Sequence, residues 1–443
     1  MRVVPVLFVL FLMAFLDRTN IGNARIQGLD KDLHMQGNDY NVALLIFFVP
    51  YILFEVPSNI IIKRIAPSTW LSSIMILWGI ATLGQGVVKT KGQLIACRLL
   101  VGLFEAGLFP GCVYLISMYY QRYELQWRLT LFFSASIIAG AFGGLFAFGL
   151  AHMNGLAGYS GWRWIFIIEG LLTSLVGLLA KPLIVDWPEK ATFLTPAERS
   201  LLLTRLARDS GEARMDRLDA RAAKRIFSDW KMYLSVVMYL SVVNSGYSTS
   251  FFIPTILKEM GLTAEKAQVR SIPIFVVATI AALGVAFATD KLRHRYAFTI
   301  AGVLIATIGY VILLCQTHVS VGVKYFAIFL AVMGTYVTQP VTIAWASNCM
   351  SGHYKRSVAS AMMIGFGNTG GLVASNVFID REKPLYRTGY GVALGLLWVC
   401  AAACTALVVG VTLENRKRDR GERDYRLQEP DADNLGDDHP SFR

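Results

Sequence analysis

PLIVDWPEKATFLTPAERSLLLTRLARDSGEARMDRLDARAAKRIFSD, residues 182–229, is the one long polar stretch between apolar runs, with nine Lys or Arg and eight Asp or Glu. Before it lie six apolar runs, at about 3–23, 41–62, 70–88, 93–118, 128–152 and 162–181. After it lie six more, at about 230–257, 269–289, 296–317, 321–347, 356–380 and 388–412. A bilayer crossing takes roughly 20 apolar residues, and each run supplies about that. The chain therefore reads as an all-α integral membrane protein of twelve transmembrane helices in two six-helix halves, 1–181 and 230–412. Residues 182–229 are the linker and 413–443 the tail. Within the linker, TPAERSLLLTRLARD has a helical pattern that could lie along a membrane surface, although a solvated tether is the plainer reading.

Composition agrees. Of 443 residues, 55% are hydrophobic and 16% charged, against roughly 25% charged in soluble domains, and the mean hydropathy is +0.50. A soluble enzyme is excluded, and function must sit within the membrane. The net charge of +12 would suggest nucleic acid in a soluble protein; here it is a topology signal. With the amino terminus in the cytoplasm, the even-numbered connections hold eighteen Lys or Arg, Lys63, Arg64, Arg122, Arg128, Lys355 and Arg356 among them, and the tail after 412 holds seven. The opposite loops hold fewer. Positive-inside bias thus puts both termini and the linker in the cytoplasm, and the expected location is the plasma membrane.

The six cysteines fall in apolar stretches without metal or redox spacing, and the six histidines lie in loops, at span ends or in the tail, so neither a metal site nor a cofactor is expected. The opening MRVVPVLFVLFLMAFL runs into Asp17 and Arg18 without a small-residue cleavage site and reads as a first span rather than a signal peptide. So little precedes it that the natural start is expected further upstream.

An internal repeat supports two equivalent halves. In the first, a helix bearing Pro110 leads through Arg128 into SASIIAGAFGG (134–144); in the second, Pro340 leads through Arg356 into MMIGFGNTGG (362–371). Gly140 with Gly144 and Gly367 with Gly371 form GxxxG patterns, which let helix backbones approach closely. Paired repeats of this kind are a mark of secondary transporters.

A charge at mid-bilayer costs roughly 2.5 to 3.5 kcal/mol on insertion scales, yet Asp17 and Arg18 lie in the first span, Glu55 in the second, Arg98 and Glu105 in the fourth and Glu169 in the sixth. Arg98 and Glu105 share a helix face about 10 Å apart along the axis, too far for a direct pair, and are expected to line one cavity at two depths. An Arg fork suits a carboxylate substrate, and a carboxyl shielded from water can trade its proton with a nearby charge. Adjacent helix residues point about 100° apart, so one of Asp17 and Arg18 can equally serve as a tie between helices. Glu55 and Glu169 read first as structural. Tyr51, on one face with Glu55 and Asn59, either stacks on a ligand or is an ordinary packed tyrosine.

The segments LDRTNIGNARIQGL (16–29), FFVPYILFEVPSN (47–59), RLLVGLFEAGLFPG (98–111), GWRWIFIIEG (161–170) and GFGNTGG (365–371) resemble the anion:cation symporter family of the major facilitator superfamily. Within it the chain is similar to the fungal allantoate and nicotinate permease branch, over nearly its whole length. The resemblance implies proton coupling at Asp17 and Glu105, and substrate binding at Arg18, Arg98, Tyr51 and Asn368. It also implies cytoplasmic gate loops: IIIKRIAPS (60–68) keeps only Lys63 and Arg64 of the superfamily's usual Gly, Asp and basic residues, while the loop after the eighth span has Asp290, Lys291, Arg293 and Arg295. The expected protein is thus a proton-coupled symporter of a small organic anion, with no cofactor and no nucleic-acid partner, working as a monomer in the bilayer by alternating access. An exchanger, a facilitator for a neutral solute and a nutrient-sensing receptor remain as alternatives. An intramembrane enzyme is disfavoured, because no catalytic cluster of His, paired Cys or nucleophile motif is present.

Overall fold

The computed structural model describes residues 3–191, 193–209, 220–292, 294–351, 353–429, 434–440 and 442. Among them the regular structure is helical, as hydrocarbon demands, since a helix satisfies its own N–H and C=O groups where water is absent. Among the described residues eleven helices are long and apolar enough to cross a bilayer: Val3–Ile26 (span 1), Asp39–Ile62 (span 2), Pro67–Val87 (span 3), Lys91–Ser117 (span 4), Trp127–Ala151 (span 5), Gly161–Ala180 (span 6), Trp230–Glu259 (span 7), Ala264–Thr289 (span 8), Arg295–Leu314 (span 9), Val321–Asn348 (span 10) and Arg387–Asp419 (span 12). The twelfth crossing, span 11, comes in two pieces, His353–Gly367 and Thr369–Val377.

Span 11 tightens at its joint rather than parting. Asn368 keeps right-handed angles (φ −64, ψ −12), and its backbone N–H still donates to the Ile364 carbonyl at 2.9 Å. Span 1 has a similar joint at Asn20, and span 4 has one at Ala106 and Gly107, just after Glu105. The last has a cause in the sequence: Pro110 has no N–H to offer the Ala106 carbonyl four residues back. Starts are also written locally. Thr90, Asp229 and Ser320 cap spans 4, 7 and 10 by accepting backbone N–H bonds, which satisfies donors the first turn leaves unpaired.

Two differences from the expected layout concern the polar segments. The helix of span 12 continues past 412 to Asp419, so the tail begins as an extension of that helix. The helix expected around 195–209 forms over Pro196–Asp209, with Thr195 and Glu198 bonded reciprocally as a capping box. A second helix, Ala220–Phe227, follows. At the same end of the bundle the tail folds back: Asp437, fully buried, pairs with Lys231 at the start of span 7 and with Lys355 at 2.8 Å.

The arrangement is pseudo-symmetric. Spans 1, 4, 7 and 10 are the most buried, at 67–83% against 33–56% for the other uninterrupted spans; they form the inner wall, equivalent pairs from the two halves. The two halves meet through the glycine patterns. A Cβ on Gly144 of span 5 would stand 2.8 Å from the Gln268 carbonyl oxygen of span 8, and one on Gly371 of span 11 would strike the Phe48 ring of span 2. The spacing expected to permit close approach thus serves the contacts 5 to 8 and 11 to 2, which the repeat relates to one another.

Candidate functional site

The inner wall surrounds a central cavity whose lining includes Arg18, Tyr51, Tyr247, Tyr336, Gln339 and Asn368. Its open volume is about 30 Å³, space for a water molecule or two and too little for an aromatic carboxylate. Arg18 occupies the middle. Its Nε donates to Glu105 Oε1 at 3.1 Å, a second guanidinium N–H reaches the same oxygen, and a third donates to the Tyr247 hydroxyl. The rings of Phe47 and Tyr51 (4.9 Å each) and of Tyr247 (5.5 Å) surround its guanidinium carbon, a geometry that stabilises a cation by its π faces. Glu105 Oε2 is buried with no protein partner among the described residues.

Asp17 turns the other way, as neighbouring helix positions must. Its Oδ2 accepts from Trp78 Nε1 of span 3 at 2.9 Å and from Thr173 Oγ1 of span 6 at 2.8 Å. Of the adjacent pair, then, Arg18 faces the cavity and Asp17 ties helices together behind it. Glu169 accepts a bond from Asn20 Nδ2, joining spans 6 and 1.

Arg98 corrects an expectation. It does not line the cavity, and Glu105 reaches it only through Arg18. Fully buried, it donates to the backbone oxygens of Ala43 (3.3 Å) and Arg18 (3.5 Å), and the Phe47 ring lies within 5.1 Å of its guanidinium carbon. The face shared by positions 98 and 105 is real, but the bulk of span 2 covers its upper part. Glu55 faces span 11, where a Cβ on Gly365 would stand 3.7 Å from its Oε2. Both its carboxylate oxygens are without a well-formed hydrogen bond, while the Arg18 charge and the Asn368 amide act on it.

Residues from the second half are what the search for charge passed over. Tyr247 contacts Arg18 directly, and its signal was the run NSGYSTS at 244–250, seven small or polar residues inside a span. At the end of the bundle away from the linker the halves are bound together: Arg25, over the Tyr40 ring at 4.0 Å, pairs with Asp30 and Asp380 at 2.8 Å, and Asn41 donates to the Phe378 carbonyl at 3.3 Å. At the linker end, Lys63 and Arg64 close span 2 and Asp290 and Lys291 end the helix of span 8, with Arg64 and Lys291 exposed and Arg295 opening span 9. Arg293 lies outside the described residues, as do the side chains of Lys63 and Asp290.

Comparison with known proteins fits this geometry. Residues 7–375 match the family profile described as Major Facilitator Superfamily. An uncharacterized transporter of Schizosaccharomyces pombe is 33% identical over 94% of this chain and 83% of its own length, and the MFS-type transporter cnsO of Penicillium expansum is 33% identical over 100% and 88%. Among solved structures, a bacterial homolog of the human lysosomal transporter Spinster, inward-facing and unoccupied, superposes with a TM-score of 0.63 at 19% identity, covering 92% of this chain and 94% of that one; that likeness bears on the fold alone. Twelve spans in related halves, an inner wall drawn equally from both and relatives of nearly full length converge: the chain belongs to the Major Facilitator Superfamily and is a membrane transporter of that type, not an enzyme.

Proposed function

We propose that the chain is a proton-coupled symporter of a small organic anion, of the anion:cation symporter kind and nearest the fungal allantoate and nicotinate branch, with its linker end and both termini in the cytoplasm of a plasma-membrane carrier. One observation carries the reading: among the described residues the only full charge lining the central cavity is Arg18, and its partner is an internal carboxylate, Glu105, whose second oxygen has no protein partner and can take a proton. Protonation of Glu105 at Oε2 removes the negative charge that holds Arg18, and a substrate carboxylate can take the vacated N–H donors in the same two-pronged manner. Tyr51 and Asn368 then border the rest of the anion, Asp17 shares in the coupling, and Arg98 acts by holding the Arg18 backbone. The gate loops at Lys63, Arg64, Asp290, Lys291, Arg293 and Arg295 lie at the cytoplasmic end in this reading.

The test is uptake of a radiolabelled panel of nicotinate, allantoate and related carboxylates into cells expressing the chain. Uptake is expected to fall as external pH rises from about 5 to about 8, across the range in which a buried carboxyl can exchange its proton, and to collapse with a protonophore. Sodium-dependent uptake that resists the protonophore would refute it.

A further inference from the structure

We propose that Asp17 and Glu169 hold one proton between them, at a site behind the substrate cavity, and that Glu169 stores it. The inference rests on the proton-driven reading above. Spans 1 and 6 run antiparallel, and two contacts form successive rungs between them: Asp17 with Thr173, and Asn20 with Glu169. Asp17 and Asn20 are three residues apart on span 1, and Glu169 and Thr173 four apart on span 6, so each carboxyl lies one helical turn from the other across a single interface. Both are at most 1% exposed.

Among the described residues neither carboxyl forms an ion pair, and Arg163, the arginine of span 6, donates instead to the Gly86 and Val88 carbonyls. Span 3, which supplies Trp78, has no charged residue between Pro67 and Val87. Span 5 keeps its charges, Arg122, Glu124 and Arg128, at its beginning. Arg18 is committed to Glu105 on the other side of span 1, and Arg98 acts on Asp17 through its field, as Glu105 does, with no ion pair formed among the described residues. On Glu169 the charged group that acts is Asp17 itself. Two carboxylates in a dry interior without a cation cannot both stay ionised.

The hydrogen bonds distribute the charge. Each carboxyl has one oxygen without a protein partner among the described residues, Asp17 Oδ1 and Glu169 Oε2, but Asp17 Oδ2 accepts two bonds, which suits an anion, whereas Glu169 accepts one, at Oε1. The proton therefore bonds to Glu169 Oε2. A purely structural tie to Asn20 would be made equally well by a glutamine, so the tie does not explain the carboxyl. The span 3 face that begins with Trp78 continues through Thr82 and Gln85, both buried, with polar atoms that have no protein partner among the described residues, and forms a polar lane from this site away from the linker end.

The test compares wild type with Glu169→Gln and Glu169→Asp in proteoliposomes, using as probe the carboxylate that wild type takes up best. Glu169→Gln is expected to displace the midpoint of the uptake–pH profile by about one pH unit or more, since the stored proton is gone and Asp17 then titrates without a second carboxyl beside it, and Glu169→Asp, withdrawn from Asn20 by a methylene, to displace it less. Infrared titration of wild-type protein is expected to show a dry protonated carboxyl that disappears in Glu169→Gln. If wild type is not protonophore-sensitive, the symport reading falls; if it is, and both variants keep its pH profile, this inference falls alone. Sodium stimulation lost in both variants would replace the proton by a metal cation and also overturn it. Should neither variant reach the membrane, absence of the carboxyl band from wild type between about pH 5 and 8, the range invoked for exchange, overturns it.

Discussion

Glu105→Gln tests the exchange of partners at Arg18. In wild type an incoming anion must displace an ionised carboxylate bonded through one oxygen to two guanidinium N–H groups, one at 3.1 Å. Glutamine keeps the size and an acceptor oxygen but loses the charge, and a hydrogen bond to a charged partner contributes roughly 1.5 to 3 kcal/mol, compared with about 1 for a neutral one. The competitor is therefore weakened by about 0.5 to 2 kcal/mol, or about two- to thirtyfold in substrate affinity. Arg18, left without its counter-charge, also gains more from a substrate carboxylate than wild type does. The expected result in counterflow, with vesicles preloaded with unlabelled substrate at pH 7.5, is a tighter apparent affinity by that factor, together with loss of uphill accumulation driven by a proton gradient. Unchanged affinity with intact accumulation would remove Glu105 from both roles, and loss of all transport at normal expression would make it a folding residue.

Three further outcomes follow from single contacts. Arg98→Lys cannot keep both bonds to the Ala43 and Arg18 carbonyls, so it is expected to lower the melting temperature and the maximal rate together; weaker substrate affinity with an unchanged melting temperature would return Arg98 to the binding site. Gly370→Ala places a Cβ 2.3 Å from the Leu240 carbonyl oxygen, and overpacking of that order costs about 1 to 3 kcal/mol. Transport and thermal stability are expected to drop there but not in Gly391→Ala, where the same atom meets open space, and equal tolerance at both positions would contradict the packing. Burial pushes the Asp380 carboxyl up, but the Arg25 charge and the bonds from Arg25 and Lys383 outweigh it and hold its pKa below the ordinary 3.8. Its contribution is thus present above that value and lost only as pH falls through the lowered pKa, so this closure stays insensitive between about pH 5 and 8. Asp380→Asn, by contrast, weakens a pair between a buried arginine and a partly exposed carboxylate by about 1 kcal/mol, and is expected to speed hydrogen exchange in 375–386 by about fivefold.

Reading of the sequence succeeded where each residue acts through its own helix. The helical pattern of TPAERSLLLTRLARD, which forms Pro196–Asp209, and the glycine spacings at 140/144 and 367/371, which sit at close helix contacts, are local signals of this kind. Adjacent Asp17 and Arg18 were rightly expected to point apart, but which of them faces the cavity depends on Trp78 and Thr173, 61 and 156 residues from Asp17. The same limit misplaced Arg98: its helix face was legible, but the cover provided by Phe47 was not. Tyr247 escaped because a neutral residue in a span costs little and so raises no alarm in a search for buried charge.

The uneven distribution of charge bears on how coupling could work. Asp17, Arg18, Glu55, Arg98, Glu105 and Glu169 all belong to the first half, while charges in spans 7 to 12 lie near helix ends. Arg18 and Glu105 sit on spans 1 and 4, whose helices move as part of one body if the halves rock against each other. Rocking leaves that pair intact; what it severs is the bond from Arg18 to Tyr247, which crosses between halves. Opening therefore takes from Arg18 only its bond to a neutral hydroxyl and the ring that carries it, whereas the pair itself yields only to a proton on Glu105 or to an anion at Arg18. Had Glu105 been placed on span 7, every conformational cycle would have broken the ion pair, and the empty carrier would have had to return against that cost. With the pair confined to one half, the proton and the substrate decide the state of Arg18, and the second half supplies a neutral wall that can close over either.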